Sequence, residues 1–312
     1  MKERAVQSWY LVKRLLFGKN GDGWVYKGIN YFLLILFGFV FLYPLFFMVT
    51  YSFMDTPDLI NPLVKWIPTK LYLDNFVQAA KVLNFFPTLF KTIFVSFVPA
   101  LVQMFSTAVI GYGFARFRFP GKTLLFGLVL ATFIIPPQIT MIPQFLMYKD
   151  LQLIGSIFAY ILPALFGQGL KSGLFILIFY QFFRTIPKSL EEAAQIDGAG
   201  HLRIFFTISV PMAVPAFIIT FLFSMVWYWN ETTLAVLYFG DQLTTLPLEL
   251  QKFAVTYQKL FPVDPHSQTG KSINEAINMA GTFLNMLPLL IVYFFTQRWF
   301  VESIERTGIT GE

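Results

Sequence analysis

The sequence predicts an all-α, polytopic membrane protein of about six transmembrane helices with both termini on the cytoplasmic side, and three observations lead there. The chain of 312 residues is 56% hydrophobic and only 13% charged, about half the charge of an average soluble domain. Aromatic residues make up 19% of it, with 39 Phe, a load that suits lipid-facing and helix-packing surfaces better than a core needing a polar cover. Apolar runs of roughly 20 residues recur along the chain, the length a helix needs to cross about 30 Å of hydrocarbon.

Six such runs lie near residues 29–53, 92–114, 123–145, 165–184, 212–237 and 279–300. Each is expected to be helical, because an open chain in hydrocarbon must satisfy its amides within the segment. The first is too long for the apolar core of a signal peptide. It runs into Tyr51-Ser52-Phe53-Met54 instead of a small-residue cleavage site, so it reads as an anchor.

Basic residues between the runs give the orientation, since short cytoplasmic loops collect Lys and Arg. Lys2, Arg4, Lys13, Arg14, Lys19 and Lys27 precede the first run; Arg116, Arg118 and Lys122 follow the second; Arg184, Lys188 and Arg203 follow the fourth. Stretches 55–90, 146–164 and 238–277 have fewer basic residues per length and are expected outside, the last containing Pro262, Pro265 and Gly270. The expected organisation is a cytoplasmic amino-terminal segment, 1–28, a membrane domain, 29–301, and a cytoplasmic tail, 302–312. Within the membrane domain lie a cytoplasmic loop, 185–211, and an outer loop, 238–277.

Several function classes drop out. The net charge of +6 is scattered around apolar segments and forms no aromatic-interleaved basic face for nucleic acid. With no cysteine, neither disulfides nor thiolate metal sites can form. No extramembrane stretch exceeds about 40 residues, near the lower limit for an independent fold. His201 and His266 are expected on opposite sides of the membrane, so they cannot act together, and no phosphate-binding glycine loop occurs. The chain therefore presents no catalytic residue, no metal site and no cofactor of its own.

The loop from Pro187 to Pro211 is the most informative stretch, and its sequence predicts two short helices. Ser189 followed by Glu192 is expected to form a capping box, and Gly198 to supply the left-handed residue ending the first helix. Leu190, Ala193, Ala194 and Asp197 fall on one helical face, narrow and mostly alanine, which lets another surface approach the backbone closely. A helix of about eight residues is barely stable in water without a partner, so it either docks on another protein or lies on its own chain or the lipid surface.

This loop resembles the motif shared by membrane subunits of bacterial and archaeal ABC importers: Glu192-Ala193-Ala194, Gly198 after three intervening residues, Ile208 and Pro211, with Val210 where a leucine is usual. Asp197-Gly198-Ala199 and Phe205 are similar to the carbohydrate-uptake, maltose-type branch. So are Ile135-Pro136-Pro137-Gln138 with Ile142-Pro143, Trp229-Asn230-Glu231, Thr245-Leu246-Pro247 and Gln297-Arg298-Trp299-Phe300-Val301. The resemblance covers nearly the whole chain after residue 28, and the stretch through Gly23 has no counterpart. It implies a type I ABC importer permease fold in the cytoplasmic (inner) membrane of a bacterium or archaeon. It further implies a second, homologous permease, an ATPase dimer that uses ATP and Mg, and an extracytoplasmic solute-binding protein delivering a sugar or oligosaccharide. Leu190, Glu191, Glu192, Ala193, Ala194, Asp197, Gly198, Ala199, Phe205, Ile208 and Pro211 become ATPase-coupling residues, with Glu192 and Asp197 available to cationic groups there.

Three further groups are candidates for the transport path. Pro136, Pro137 and Pro143 remove amide donors from the third run and are expected to kink it, as gating helices do. Trp227, Tyr228, Asn230 and Glu231, with Trp229, are expected within the fifth run, where amide and charged groups face a bundle interior or wet cavity and aromatic faces suit sugar rings. Lys171, flanked by Gly169 and Gly173, is expected to snorkel at the outer mouth of the fourth run. The alternatives are a permease for another polar solute, such as a polyol or glycerol phosphate, and an ion-driven secondary transporter. The latter calls for buried carboxylates or internal repeats, neither of which is evident.

Overall fold

The computed structural model describes residues 23–262 and 273–308, with side chains described as far as Trp299. Pro265, His266 and Gly270 lie outside the described residues. All regular structure within them is helical. The helices are α1 (Trp24–Ser52), α2 (Thr56–Ile60), α3 (Asp74–Val82), α4 (Phe85–Arg116), α5 (Lys122–Ile134), α6 (Pro137–Asp150), α7 (Phe158–Leu165) and α8 (Ser172–Thr185). They continue with α9 (Lys188–Ile196), α10 (His201–Met212), α11 (Val214–Asn230), α12 (Thr233–Phe239), α13 (Leu246–Gln251), α14 (Phe253–Leu260) and α15 (Glu275–Gly308).

Among the described residues, three helices are long and apolar enough to cross a membrane: α1, α4 and α15 as far as Trp299. The other three expected spans are not continuous helices. The third is divided into α5 and α6, which meet at 99°. Proline at 136 and 137 removes two consecutive donors, and the residue before a proline is pushed out of the helical region, as at Ile135, with φ −64° and ψ 125°. Pro143 lies inside α6. The fourth span, expected over 165–184, is helical only from Ser172. Left-handed Gly167 (φ 68°) and Lys171 (φ 59°) interrupt the chain before it, and 14 residues reach only about 21 Å. The fifth, expected over 212–237, starts at a 78° bend between α10 and α11 and ends at Asn230, with Glu231 in the turn before α12.

The described residues divide into two compact units, one formed by 23–76 with 274–283 and the other by 77–262 with 273 and 284–308. In the first, Asn75 is buried and its Nδ2 donates to the Ser52 and Met54 carbonyls at 3.0 and 2.8 Å, which ties off the end of α1. Asp58 accepts from the amide and hydroxyl of Thr69. Along α1 itself only Met48 and Ser52 are buried.

The second unit is organised around α4, which packs against α7, α8 and α11. Small residues let the backbones approach: a Cβ added at Gly111 would lie 2.6 Å from the Phe179 Cβ on α8 and 3.0 Å from the Tyr180 amide nitrogen. In lipid, where helix association rests on packing and hydrogen bonds, such small-residue contacts set how close helices come. Fully buried Gln103 on α4 closes the break before α8. Its Nε2 donates to the Leu170 carbonyl at 2.6 Å and to Ser172 Oγ at 2.9 Å, and its Oε1 accepts from Ser224 Oγ on α11 at 2.9 Å. The Leu170 amide donates to the Tyr228 hydroxyl at 3.4 Å.

Gly111→Leu is expected to lower the thermal unfolding midpoint in detergent, since overpacking costs about 1–3 kcal/mol. Gly113→Leu, two residues on with nothing within 4 Å of an added Cβ, is the control that should leave it nearly unchanged. Equal midpoints for the two variants would contradict the close approach of α4 and α8.

Candidate functional site

The segment from Ile186 to Met212 brings together most of the residues singled out in the sequence. Helix α9 starts at Lys188, one residue before the expected cap, because Pro187, at φ −58° and ψ 129°, takes the N-cap position. Ser189 therefore lies inside the first turn, and no side-chain capping bond forms. This replaces the expected Ser189–Glu192 box. The other end forms as expected. Gly198 is left-handed at φ 80°, its amide donates to the Gln195 carbonyl at 3.0 Å, and the Ala199 amide donates to the Ala194 carbonyl at 2.8 Å. This pair of bonds is a Schellman motif, and it sets the direction in which the chain leaves α9 for α10.

One side of α9 is uncovered by this chain. Leu190, Glu192, Ala193 and Asp197 are exposed, and Ala194 and Ala199 half-buried. Large apolar side chains beside them are open as well, with Ile196 87%, Leu202 77% and Phe206 61% exposed. Apolar groups crowded on a short helical segment mark an interaction surface more often than an isolated exposed leucine does.

The opposite side is pinned. Glu191 Oε1 lies 2.8 Å from Arg116 Nε, with side-chain exposures of 12% and 5%, and Arg116 Nη2 donates to the Ile186 carbonyl at 2.7 Å. Arg116 is in the last turn of α4. Its charge, read from the sequence as an orientation signal, also holds the base of α9. Losing one partner of a buried pair costs about 3–5 kcal/mol, although the intact pair adds little net stability because desolvation offsets the attraction. Glu191, expected among residues facing another subunit, thus has its partner within the chain. So does Phe205, which is buried with its ring 4.9 Å from that of Tyr112. His201 packs edge-on against Phe117 at 5.2 Å. Ile208 is half-buried and Pro211 exposed. The middle of α10, Phe205–Ser209, is wound as a π-helix, a form that recurs at functional positions.

The path candidates do not converge. Tyr228 is buried against Tyr160, ring centroids 5.1 Å apart; this packing gives it a place in the core. Trp227 stacks on Phe223 and packs at a tilt against Phe175. Trp229 is buried, and its indole nitrogen has no hydrogen-bond partner among the described residues. Asn230 ends α11 exposed, its Nδ2 donating to the Val226 carbonyl. Glu231 lies past the helix end, contrary to its expected place within the fifth span, and its carboxylate accepts from the Leu234 amide at 2.9 Å, capping α12. Lys171 lies 5.8 Å from the centroid of the Phe133 ring. Pro136, Pro137 and Pro143 are exposed. An apolar groove of about 410 Å³ between Met104, Phe217, Phe221, Val292 and Trp299 includes none of these residues. No cluster of three His, Cys, Asp or Glu side chains suited to a metal forms among the described residues.

Known proteins resemble this chain in sequence and fold. Residues 107–306 match the family described as the binding-protein-dependent transport system inner membrane component. The chain is 30% identical to a polygalacturonan/rhamnogalacturonan transport system permease protein of Bacillus subtilis (strain 168), across 90% of this chain and 96% of the relative. It is 33% identical to an osmoprotective compounds uptake permease protein of Synechocystis, across 77% of each. Among solved structures, one chain of a bacterial ABC transporter involved in import of the acidic polysaccharide alginate superposes with a TM-score of 0.69 at 23% identity, covering 88% of this chain and 96% of that one.

Gly198→Val forces a β-branched residue into the left-handed region, at about 1–2 kcal/mol. The Ala199 amide should then exchange with solvent roughly tenfold faster, read by hydrogen–deuterium exchange. Gly200→Ala, at a residue with φ −72°, should leave that exchange as in the wild type.

Proposed function

This chain belongs to the family of binding-protein-dependent transport system inner membrane components, and from that premise we propose that it is the membrane-spanning permease subunit of an ATP-driven sugar or oligosaccharide importer. It is a transport subunit without catalytic chemistry of its own. Supporting the carbohydrate reading are relatives named as permeases for polygalacturonan/rhamnogalacturonan, arabinooligosaccharides and melibiose/raffinose/stachyose. The proposed setting is a bacterial or archaeal inner membrane with both termini cytoplasmic. The proposed partners are a second, homologous permease, an ATPase dimer that binds ATP and Mg, and an external solute-binding protein.

The observation that carries the mechanism is the two-sided loop, open along Leu190, Glu192, Ala193 and Asp197 with Ala194 half-buried beside them, and anchored behind. We assign the open face to a cleft of the ATPase, with Glu192 and Asp197 available to its cations. Small side chains let the partner reach the backbone, and Gly198 turns α10 back toward the membrane. For ATP to shift the permease between inward- and outward-open states, this face must bind the ATPase with different strength in the two nucleotide states. The break at Pro136 and Pro137 is assigned a part in gating, because it leaves two helices free to change their mutual angle.

A second reading of the cargo, a polar solute such as a polyol or glycerol phosphate, draws support from the osmoprotectant-uptake relative. Titration calorimetry on the binding protein that captures this complex separates the two by the ligand it retains.

Because the chain has no cysteine, Ala193→Cys gives it a single thiol. In complex purified in mild detergent, a cysteine-to-amine reagent should join that thiol to an ATP-hydrolysing subunit. Purification without such a subunit, or uptake into vesicles by this chain alone without ATP, would overturn the assignment. Asn230→Ala with Glu231→Ala should weaken uptake of the solute held by the co-purified binding protein; wild-type affinity and rate would remove both residues from the path.

A further inference from the structure

The two anchors of the loop end on one turn of one helix. Arg116 holds α9 through Glu191 and the Ile186 carbonyl, and Tyr112, four residues earlier, holds α10 through Phe205. Residues four apart share a helical face, so the last turn of α4 grips both halves of the loop. Tyr112 packs in turn on Phe183 of α8, ring centroids 5.3 Å apart. A buried ion pair contributes little net stability, and the best-attested use of such pairs is to fix register. Here the register fixed is that of α9 on α4, and the contact is sited where α9 would otherwise pivot about Gly198.

Resting on the reading of this loop as the ATPase-docking segment, we propose that Arg116 is a positioning residue that makes α4 the receiver of the loop's motion. The Arg116–Glu191–Ile186 contact carries α9 and α4 as one rigid piece when the ATPase closes. The displacement enters the bundle through α4, which already packs on α7, α8 and α11, instead of being absorbed in the loop. Arg suits this role because its planar guanidinium sets one nitrogen beside a carboxylate while another donates to a carbonyl, which a single ammonium group does with less geometric control.

The test uses the assembled complex with ATP and vanadate as probe. Spin labels on Leu101→Cys in α4 and Lys188→Cys in α9 report the separation of the two helices. In the otherwise wild-type chain the distance distribution should stay unshifted between nucleotide-free and vanadate-trapped complex. With Arg116→Met or Glu191→Gln it should shift beyond its nucleotide-free width only on trapping, and the double variant should shift no further than either single one. A merely structural defect would broaden both states alike. The proposal is overturned by a trapping shift in the otherwise wild-type chain, by variants that remain unshifted, or by broadening without nucleotide dependence. Glu191→Gln keeps the side chain's size and hydrogen-bonding shape and removes only its charge, so it serves as the milder variant if Arg116→Met fails to assemble. Crosslinking at Ala193 distinguishes the two ideas. A lost crosslink in the wild-type background removes the docking assignment. A crosslink kept in both variants while the distance stays unshifted removes the role of Arg116 alone.

Discussion

A broken helix inside a bundle leaves peptide groups that nothing in hydrocarbon can satisfy, and in this protein one side chain resolves most of that difficulty. Between α7 and α8 the chain turns through left-handed Gly167 and Lys171, and Leu170 contributes no helical hydrogen bond. Gln103 binds its carbonyl, Tyr228 receives its amide, and the other end of the Gln103 amide takes the Ser224 hydroxyl. Three elements, α4, the turn before α8, and α11, thereby close on a single buried amide. At the same helix pair, Gly111 lets α8 approach the α4 backbone closely. Both ends of the buried Gln103 amide are engaged, which is the condition under which a buried network rigidifies a core.

The loop at the end of α4 has an unlike pair of faces. The side toward the bundle repeats the interior's logic, with a paired charge at Arg116 and Glu191 and packed rings at Tyr112 and Phe205. The side away from it is short of partners, with Ile196 and Leu202 in the open. An element fixed on one side and unsatisfied on the other is suited to conveying force from whatever covers it, provided that the fixed side does not yield first.

What the sequence revealed followed from local rules. Apolar runs gave α1, α4 and α15 because a continuous span is determined by its own residues. Gly198 was legible because a left-handed helix end has few other occupants. Pro136 and Pro137 announced a break, though not its 99° angle, which depends on what the two halves pack against. The failures were equally physical. Apolar residues before Ser172 look like helix, yet Gly167 and Lys171 turn the chain there, held by Gln103 from more than 60 residues away. The capping box was lost to Pro187, a competing N-cap two residues before Ser189. The partner of Glu191 is 75 positions upstream in a cluster whose charges have a sufficient explanation in membrane orientation, so nothing in the local pattern singled out Arg116.

Helix α1 offers a contrast with consequences for how the protein varies. Of its 29 residues only Met48 and Ser52 are buried, and most of the others present exposed apolar side chains. Selection there acts on overall apolarity, for which Leu, Ile, Val and Phe are nearly interchangeable, whereas on α4 it acts on individual shapes. Sequence drift should therefore accumulate quickly along the first span and slowly along the second, giving two neighbouring stretches of similar composition very different evolutionary clocks.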